Sequence, residues 1–319
     1  MLELSKKAML VTVNIKMEGL LGERRDKAAN ELVSDKYRAD ASLVKTAKYL
    51  INRKHPKVKI VVSRAQRVRE IAYENSFAWG GTNLRMLPIR AHAHFDSKVN
   101  EAIRDLKEAW DEYELYYPSL VADAERTISG LGGLFDASQY PPKEHIKGMF
   151  SAGVEYWPIP DSGHFVAEIA EEVAQEARDA VVKNNTLRAN SAINEMLARV
   201  EKGVAKYIDK IGSYKAETDN QGNRSNVVGI FRDSLVDNVK ELAELIRRLN
   251  FSDDAGIDAL AGQVNRLARA AADTLRDDPK LRESMVSEGR ALIATLDSYR
   301  KTDSMVDDMI GDVRDYYRD

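Results

Sequence analysis

Between Phe95 and Leu131, apolar side chains recur at steps of three and four: Phe95, Val99, Ile103, Leu106, Trp110, Tyr113, Tyr117, Leu120, Ala124, Ile128 and Leu131. A mean step near 3.6 residues aligns them on one face of an α-helix, and a stripe of that width must be buried against something. Pro118 lies off the stripe, so the helix is expected to kink there and to stop at "SGLGG", where glycine supplies a left-handed cap. A second stripe, Phe165, Ile169, Val173, Ala177 and Val181, is diluted by "KNNTLRAN" and resumes through Ile193, Leu197, Val200, Val204, Ile208 and Ile211. A third returns with Val228, Phe231, Leu235, Val239, Leu242, Ile246 and Leu249, after a polar stretch, "GSYKAETDNQGNRSN", that reads as a mobile tip. Two stripes joined by such a tip predict a long antiparallel helical hairpin.

Composition points the same way. Only 18 glycines and 8 prolines interrupt 319 residues, and 44% apolar with 31% charged residues excludes global disorder. A net charge of −3 is too small to name a partner class. With no cysteine, disulfides, thiol catalysis, iron–sulfur clusters and Cys-ligated zinc are excluded. No apolar run approaches a membrane span, so no membrane partner is expected. The opening "MLELSKKAMLVTVNIKMEG", broken by Thr12, Asn14 and Lys16, is not read as a signal peptide, and a cytoplasmic location is expected.

Smaller elements follow from local pattern. Val11, Val13, Ile15 and Met17 alternate with polar residues, as in a half-buried strand. Leu43, Val44, Ala47, Leu50 and Ile51 predict a helix capped by Asp40, and Val58, Val61, Ala65, Val68 and Ile71 a second one after Pro56. "NSFAWGGTN" is turn chemistry leading into "LRMLPIR", an extended piece that Pro88 places at a sheet edge. After the elbow come a helix capped by Ser252 (Ile257, Leu260, Val264, Leu267, Ala271), one opening at Pro279 (Leu281, Met285, Leu292, Leu296, Tyr299), and one bearing Met305, Met309, Val313 and Tyr316. The expected class is mainly α, a long antiparallel hairpin or bundle with a small β element near the N-terminus. Residues 1–135 form an α/β piece, 136–162 an irregular elbow, 163–250 the hairpin and 251–319 the last helices.

The strongest functional signal is electrostatic. Arg53, Lys54, Lys57, Lys59, Arg64, Arg67 and Arg69 stand in a run without one acidic residue, and Arg85 follows. A helix presenting such cations can track phosphates, with Trp79 and Phe77 as stacking surfaces for single-stranded bases. The bland counterpart is a solvated basic face that pairs with acidic residues. "HAHFDS" resembles the opening of the metallo-β-lactamase motif through His92, His94 and Asp96, but Ser97 stands where that motif has a final histidine. Those three are the weak metal candidates, and no metal or cofactor is favoured. "SGLGGLF" lacks the Gly-Lys-Ser/Thr ending of a phosphate loop and reads as a helix cap. His164 and Glu168 lie one turn apart, but carboxylates in a first turn are what the helix dipole favours. With Asp161 or Ser162 as cap, and Tyr156 and Trp157 pinning the elbow, that segment reads as structural.

"FAWGGTNLRMLP" and "LGGLFDASQYPP…F…EYWPIPD" together resemble an uncharacterised family of tailed-phage proteins, across roughly the first half of the chain. The resemblance implies viral origin and expression in a bacterial cytosol, and carries over no catalytic residue. The expected function is a non-enzymatic oligomeric scaffold or binding protein whose partners are further copies of itself. Single-stranded DNA binding or annealing through residues 53–69 is the alternative. Inhibition of a host defence protein and metal-dependent hydrolysis rank below it.

Overall fold

The computed structural model describes residues 4–17, 21, 23–81, 83–126, 128, 130–161, 171–218, 224–229 and 232–300. In chain order these form β1 (Ala8–Met17), β2 (Glu23–Arg25), α1 (Lys27–Tyr37), β3 (Ala47–Tyr49), α2 (Pro56–Asn75), β4 (Phe77–Ala78), β5 (Arg85–Pro88) and α3 (Ile89–Glu125). There follow α4 (Lys143–Ile146), β6 (Phe150–Trp157), α5 (Glu171–Ser213), β7 (Lys215–Thr218), β8 (Arg224–Val228), α6 (Ser234–Leu249), α7 (Ala255–Leu267), α8 (Ala272–Asp277) and α9 (Pro279–Leu296). The fold is mainly α with a minor β element, a four-stranded sheet ordered β4-β5-β1-β6 and two two-stranded ribbons. The chain divides into two compact units. The larger holds Met1–Val11, Asn75–Ala93 and Tyr156–Asp319, and the smaller Thr12–Glu74 and His94–Glu155.

In the smaller unit, α2 and α3 run antiparallel, since Lys57 pairs with Glu112 at 2.7 Å and Arg64 with Asp105 at 3.3 Å. Val58, Val61, Ala65, Val68 and Ile71 of α2 are buried, as are Phe95, Val99, Leu106, Trp110, Tyr113, Tyr117 and Leu120 of α3. Burying each such side chain contributes about 1.5–3 kcal/mol. Pro118 sits exposed within α3, where water can satisfy the carbonyl that its missing N–H leaves unpaired.

In the larger unit, α5 spans 43 residues, about 65 Å at ~1.5 Å per residue. Its second half buries Ile193, Leu197, Val200, Val204, Tyr207 and Ile211, while Val173 near its start is exposed. Gly203 lets Leu242 of α6 come close, because a Cβ there would lie 2.6 Å from a Leu242 methyl. Gly289 of α9 does the same for Ile208, at 2.3 Å. With Gly212 against Val286 and Arg300 bonded to Glu201 at 2.6 Å, α9 runs antiparallel to α5.

Several expectations are corrected. The helix placed after Asp40 is absent: Asp40 Oδ1 accepts from Ser42 N and Oγ, a local turn that competes with helix, and Leu43 is exposed. Ala47–Tyr49 is strand β3, with Lys48 buried between Asp26 (2.7 Å) and the Leu134 carbonyl (2.6 Å). Helix α3 starts six residues before Phe95 and ends at Glu125, which leaves Ile128 fully exposed. Leu131 N–H folds back onto Ala124 O at 2.7 Å, past a Gly130 whose Cβ would stand 2.4 Å from that same oxygen. Pro88 is not on an edge strand. It ends β5, which lies between β4 and β1, and β4 pairs only with Met86 and Arg85, so no hydrogen bond is lost.

The irregular elbow contains the eight-residue strand β6, and the polar tip contains the β7–β8 hairpin. Val228 therefore belongs to an exposed strand, and the return helix starts only at Ser234. The cap of α7 is Asp254, which accepts from Gly256 N at 2.7 Å, and Ser252 instead donates to Asn250 Oδ1. The readings placed on Ser162, His164, Phe165, Glu168, Ile169, Phe231, Met305, Met309, Val313 and Tyr316 lie outside the described residues.

Candidate functional site

The basic run is divided by the fold. Arg53 and Lys54 lie exposed in the turn before α2, and Lys57, Lys59, Arg64, Arg67 and Arg69 lie on α2 itself. The buried stripe of Val58, Val61, Ala65 and Val68 turns these cations outward. Acidic residues, however, already meet three of the seven. Lys57 pairs with Glu112 and stands 5.0 Å over the Tyr116 ring, and the Glu112 hydrogen bond raises its pKa. Arg64 reaches Asp105, and Arg67 reaches Glu70 (3.5 Å) and Glu74 (3.1 Å). Arg53 lies over the Tyr49 ring at 5.1 Å. Arg53, Lys54, Lys59 and Arg69 make no ion pair among the described residues.

Trp79 and Arg85 belong to the larger unit, in a different setting. Trp79 is buried at 4% exposure, and Phe77 beside it is fully buried. The Arg85 guanidinium donates from Nε to Ser76 Oγ (2.8 Å) and from Nη2 to Ser76 O (2.9 Å). Three residues that the sequence reading did not name complete the cluster, all from α5. Arg199 donates to Ser76 O (2.8 Å) and to Glu195 Oε1 (2.5 Å), and Glu195 also lies 3.9 Å from Arg85. Arg188 stands over Trp79, its guanidinium carbon 4.2 Å from the ring centroid. The helical repeat puts residues 188, 195 and 199 on one side of α5, at steps of seven and four. Two guanidiniums, Arg85 and Arg199, thus meet the Glu195 carboxylate beside Phe77, while Arg188 stands over Trp79. The polar break in "KNNTLRAN" was the only trace of this in the sequence.

His92 and His94 both fall within α3, not on a strand end. Two positions apart on a helix is a rotation of about 200°, so they face opposite ways. His92 packs against Tyr156, with ring centroids 5.2 Å apart. Among the described residues no group of three or more His, Asp or Glu, Asp96 included, is placed to hold a metal ion. A cleft of about 650 Å³ between the end of α5 and α9 carries charges of both signs, with Asp209 and Glu283 beside Lys215, Arg282 and Arg290. Arg282 caps α8 there by donating to the carbonyls of Leu275 (2.7 Å) and Arg276 (2.9 Å).

No family model, curated protein or solved structure matches the chain. No described helix is long and apolar enough to cross a membrane.

Proposed function

We propose that this chain is a non-enzymatic, phage-encoded scaffold protein that assembles with further copies of itself in the cytosol of a bacterial host. The observation carrying this reading is the solvent face of the smaller unit. Leu115 is 68% exposed, Tyr73 57% and Tyr116 46%. Large apolar groups at this density mark a surface built to be covered. Charge supports a second copy as the occupant. On α2, Lys59 shares a face with Tyr73, and on α3, Glu108 shares one with Leu115; neither charge is ion-paired among the described residues. Lys59 and Glu108 are opposite charges that an isologous contact can bring together, with Glu70 and Arg104 on the same two faces. Mass photometry at micromolar concentration is expected to show a defined oligomer that Leu115→Glu with Tyr73→Glu converts to monomer, with the circular dichroism unchanged. A strict monomer in the parent chain overturns the reading.

A second reading, single-stranded DNA binding, is favoured by the four cations of residues 53–69 that lack a carboxylate. Gel shift with an oligothymidylate across a salt series tests it, since phosphate contacts weaken steeply with salt. Loss of affinity in Lys59→Glu with Arg69→Glu is the expected outcome, and absent or salt-independent binding removes this reading.

A further inference from the structure

The Trp79 cluster contains one group that the protein itself does not satisfy. Arg188 is half-buried and stacks on an indole, yet it makes no hydrogen bond or ion pair among the described residues. A guanidinium has five donors, and those of Arg188, only half withdrawn from solvent, are left to water or to a ligand. Glu195, the one carboxylate of the cluster, is already engaged by Arg199 and faces Arg85. Beside Arg188 the chain turns through Gly80 and Gly81. Gly80 has φ +64°, the left-handed region, and its missing Cβ would stand 3.5 Å from Arg188 Nη2. Nothing lies within 4 Å of the corresponding point at Gly81. The amides of both glycines make no hydrogen bond among the described residues.

We propose that Arg188 and the Gly80–Gly81 turn form a binding site for a phosphate group. The guanidinium fork grips two oxygens of an oxyanion, and bare glycine amides at a left-handed turn offer donors to another. A tetrahedral phosphate has oxygens for both, whereas a carboxylate has only the two that the fork takes. Trp79 is buried against Arg188, so it orients the cation and does not stack on the ligand. Burial lowers the pKa of Arg188 from its ordinary value. The site uses none of the residues invoked for assembly, and it stands or falls independently of them.

Calorimetric titration of the full chain with inorganic phosphate, with adenosine 5′-monophosphate and with an oligothymidylate tests the proposal. Saturable phosphate binding is expected, weakened about tenfold or more by Arg188→Met and partially restored by Arg188→Lys, which keeps charge without the fork. Arg247→Met on α6, outside both candidate sites, serves as the charge-matched control and is expected to bind as the parent does. Equal affinity for phosphate and the mononucleotide assigns a free phosphate ligand. Oligothymidylate binding that is tighter, salt-dependent and still lost in Arg188→Met assigns a nucleic-acid backbone. Should Arg188→Met fail to fold, Arg188→Lys carries the test alone, because it preserves stem and charge. No saturable binding of any of the three probes, or parent-like affinity in the folded Arg188 variants, overturns the site.

Discussion

The two arginine-bearing regions of this protein were unequally visible and are unequally satisfied. The turn before α2 and α2 itself announce themselves as seven cations without an acid in the stretch from Arg53 to Arg69, yet antiparallel α3 supplies Asp105 and Glu112, and α2 itself supplies Glu70 and Glu74. Arg85, Arg188 and Arg199 lie up to 114 positions apart in the chain (199 − 85) and meet over buried rings with one glutamate among them. A run of like charge in a sequence therefore says little about how much of it is uncompensated. Compensation depends on which helix packs alongside. The arginines with structural weight are those that burial has removed from water.

That contrast can be broken experimentally. The largest effect is expected from Trp79→Ala, which opens a cavity under Arg188 and should lower unfolding free energy by about 3–5 kcal/mol in chemical denaturation. A loss below about 1 kcal/mol would mean that the ring is not packed as described. Arg85→Met comes next. It removes the Arg85 hydrogen bonds to Ser76 Oγ and Ser76 O while Arg199 still reaches Ser76 O, at a cost of about 1–3 kcal/mol by the same measurement.

The pH dependence belongs to the buried pair of the smaller unit. The hydrogen bond from Lys48, reinforced by Ala29 N–H, lowers the pKa of Asp26 from its ordinary 3.8. A lowered folded pKa adds stability that is present above pH 3.8 and is lost as pH falls through the folded value. Thermal melts should therefore weaken below about pH 4 in the parent, and this acid limb should shrink in Lys48→Met, the carboxylate keeping only its backbone partner. An unchanged limb would assign acid lability to other groups. The smallest effect is expected from Arg64→Ala. Its ion pair is about half exposed on both sides, so stability should stay within about 1 kcal/mol of the parent. A larger loss would erase the distinction between the two regions.

Much of the fold was legible, because helical burial is periodic in sequence. The stripes Val58–Ile71 and Phe95–Leu120, the later part of the α5 stripe, and Met285, Leu292 and Leu296 are buried in helices where the spacing put them, except for half-buried Ile103 and Ile208. Legibility failed where a local hydrogen bond or a distant partner decided the backbone. Leu43–Ile51 has helical spacing, but Asp40 turns the chain and Lys48 is drawn inward to Asp26. Strand β6 was hidden because Trp157, Pro158 and Pro160 dominate the look of a segment whose order comes from joining the sheet. At the candidate site, Trp79 and Arg85 were read as a nucleic-acid surface, and the burial that removes them from such a role comes from elements with no sequence signal toward them.

By itself, then, the sequence determined which residues turn inward along each rod, since that depends only on periodicity and the preference of apolar groups to leave water. It also settled that no thiol chemistry operates here. The tertiary structure decided which rods become neighbours, that α9 as well as α6 lies along α5, and which arginines find carboxylates. Those outcomes turn on contacts between positions far apart in the chain, such as Gly289 against Ile208 and Arg188 over Trp79, and no local pattern encodes the meeting of two distant residues.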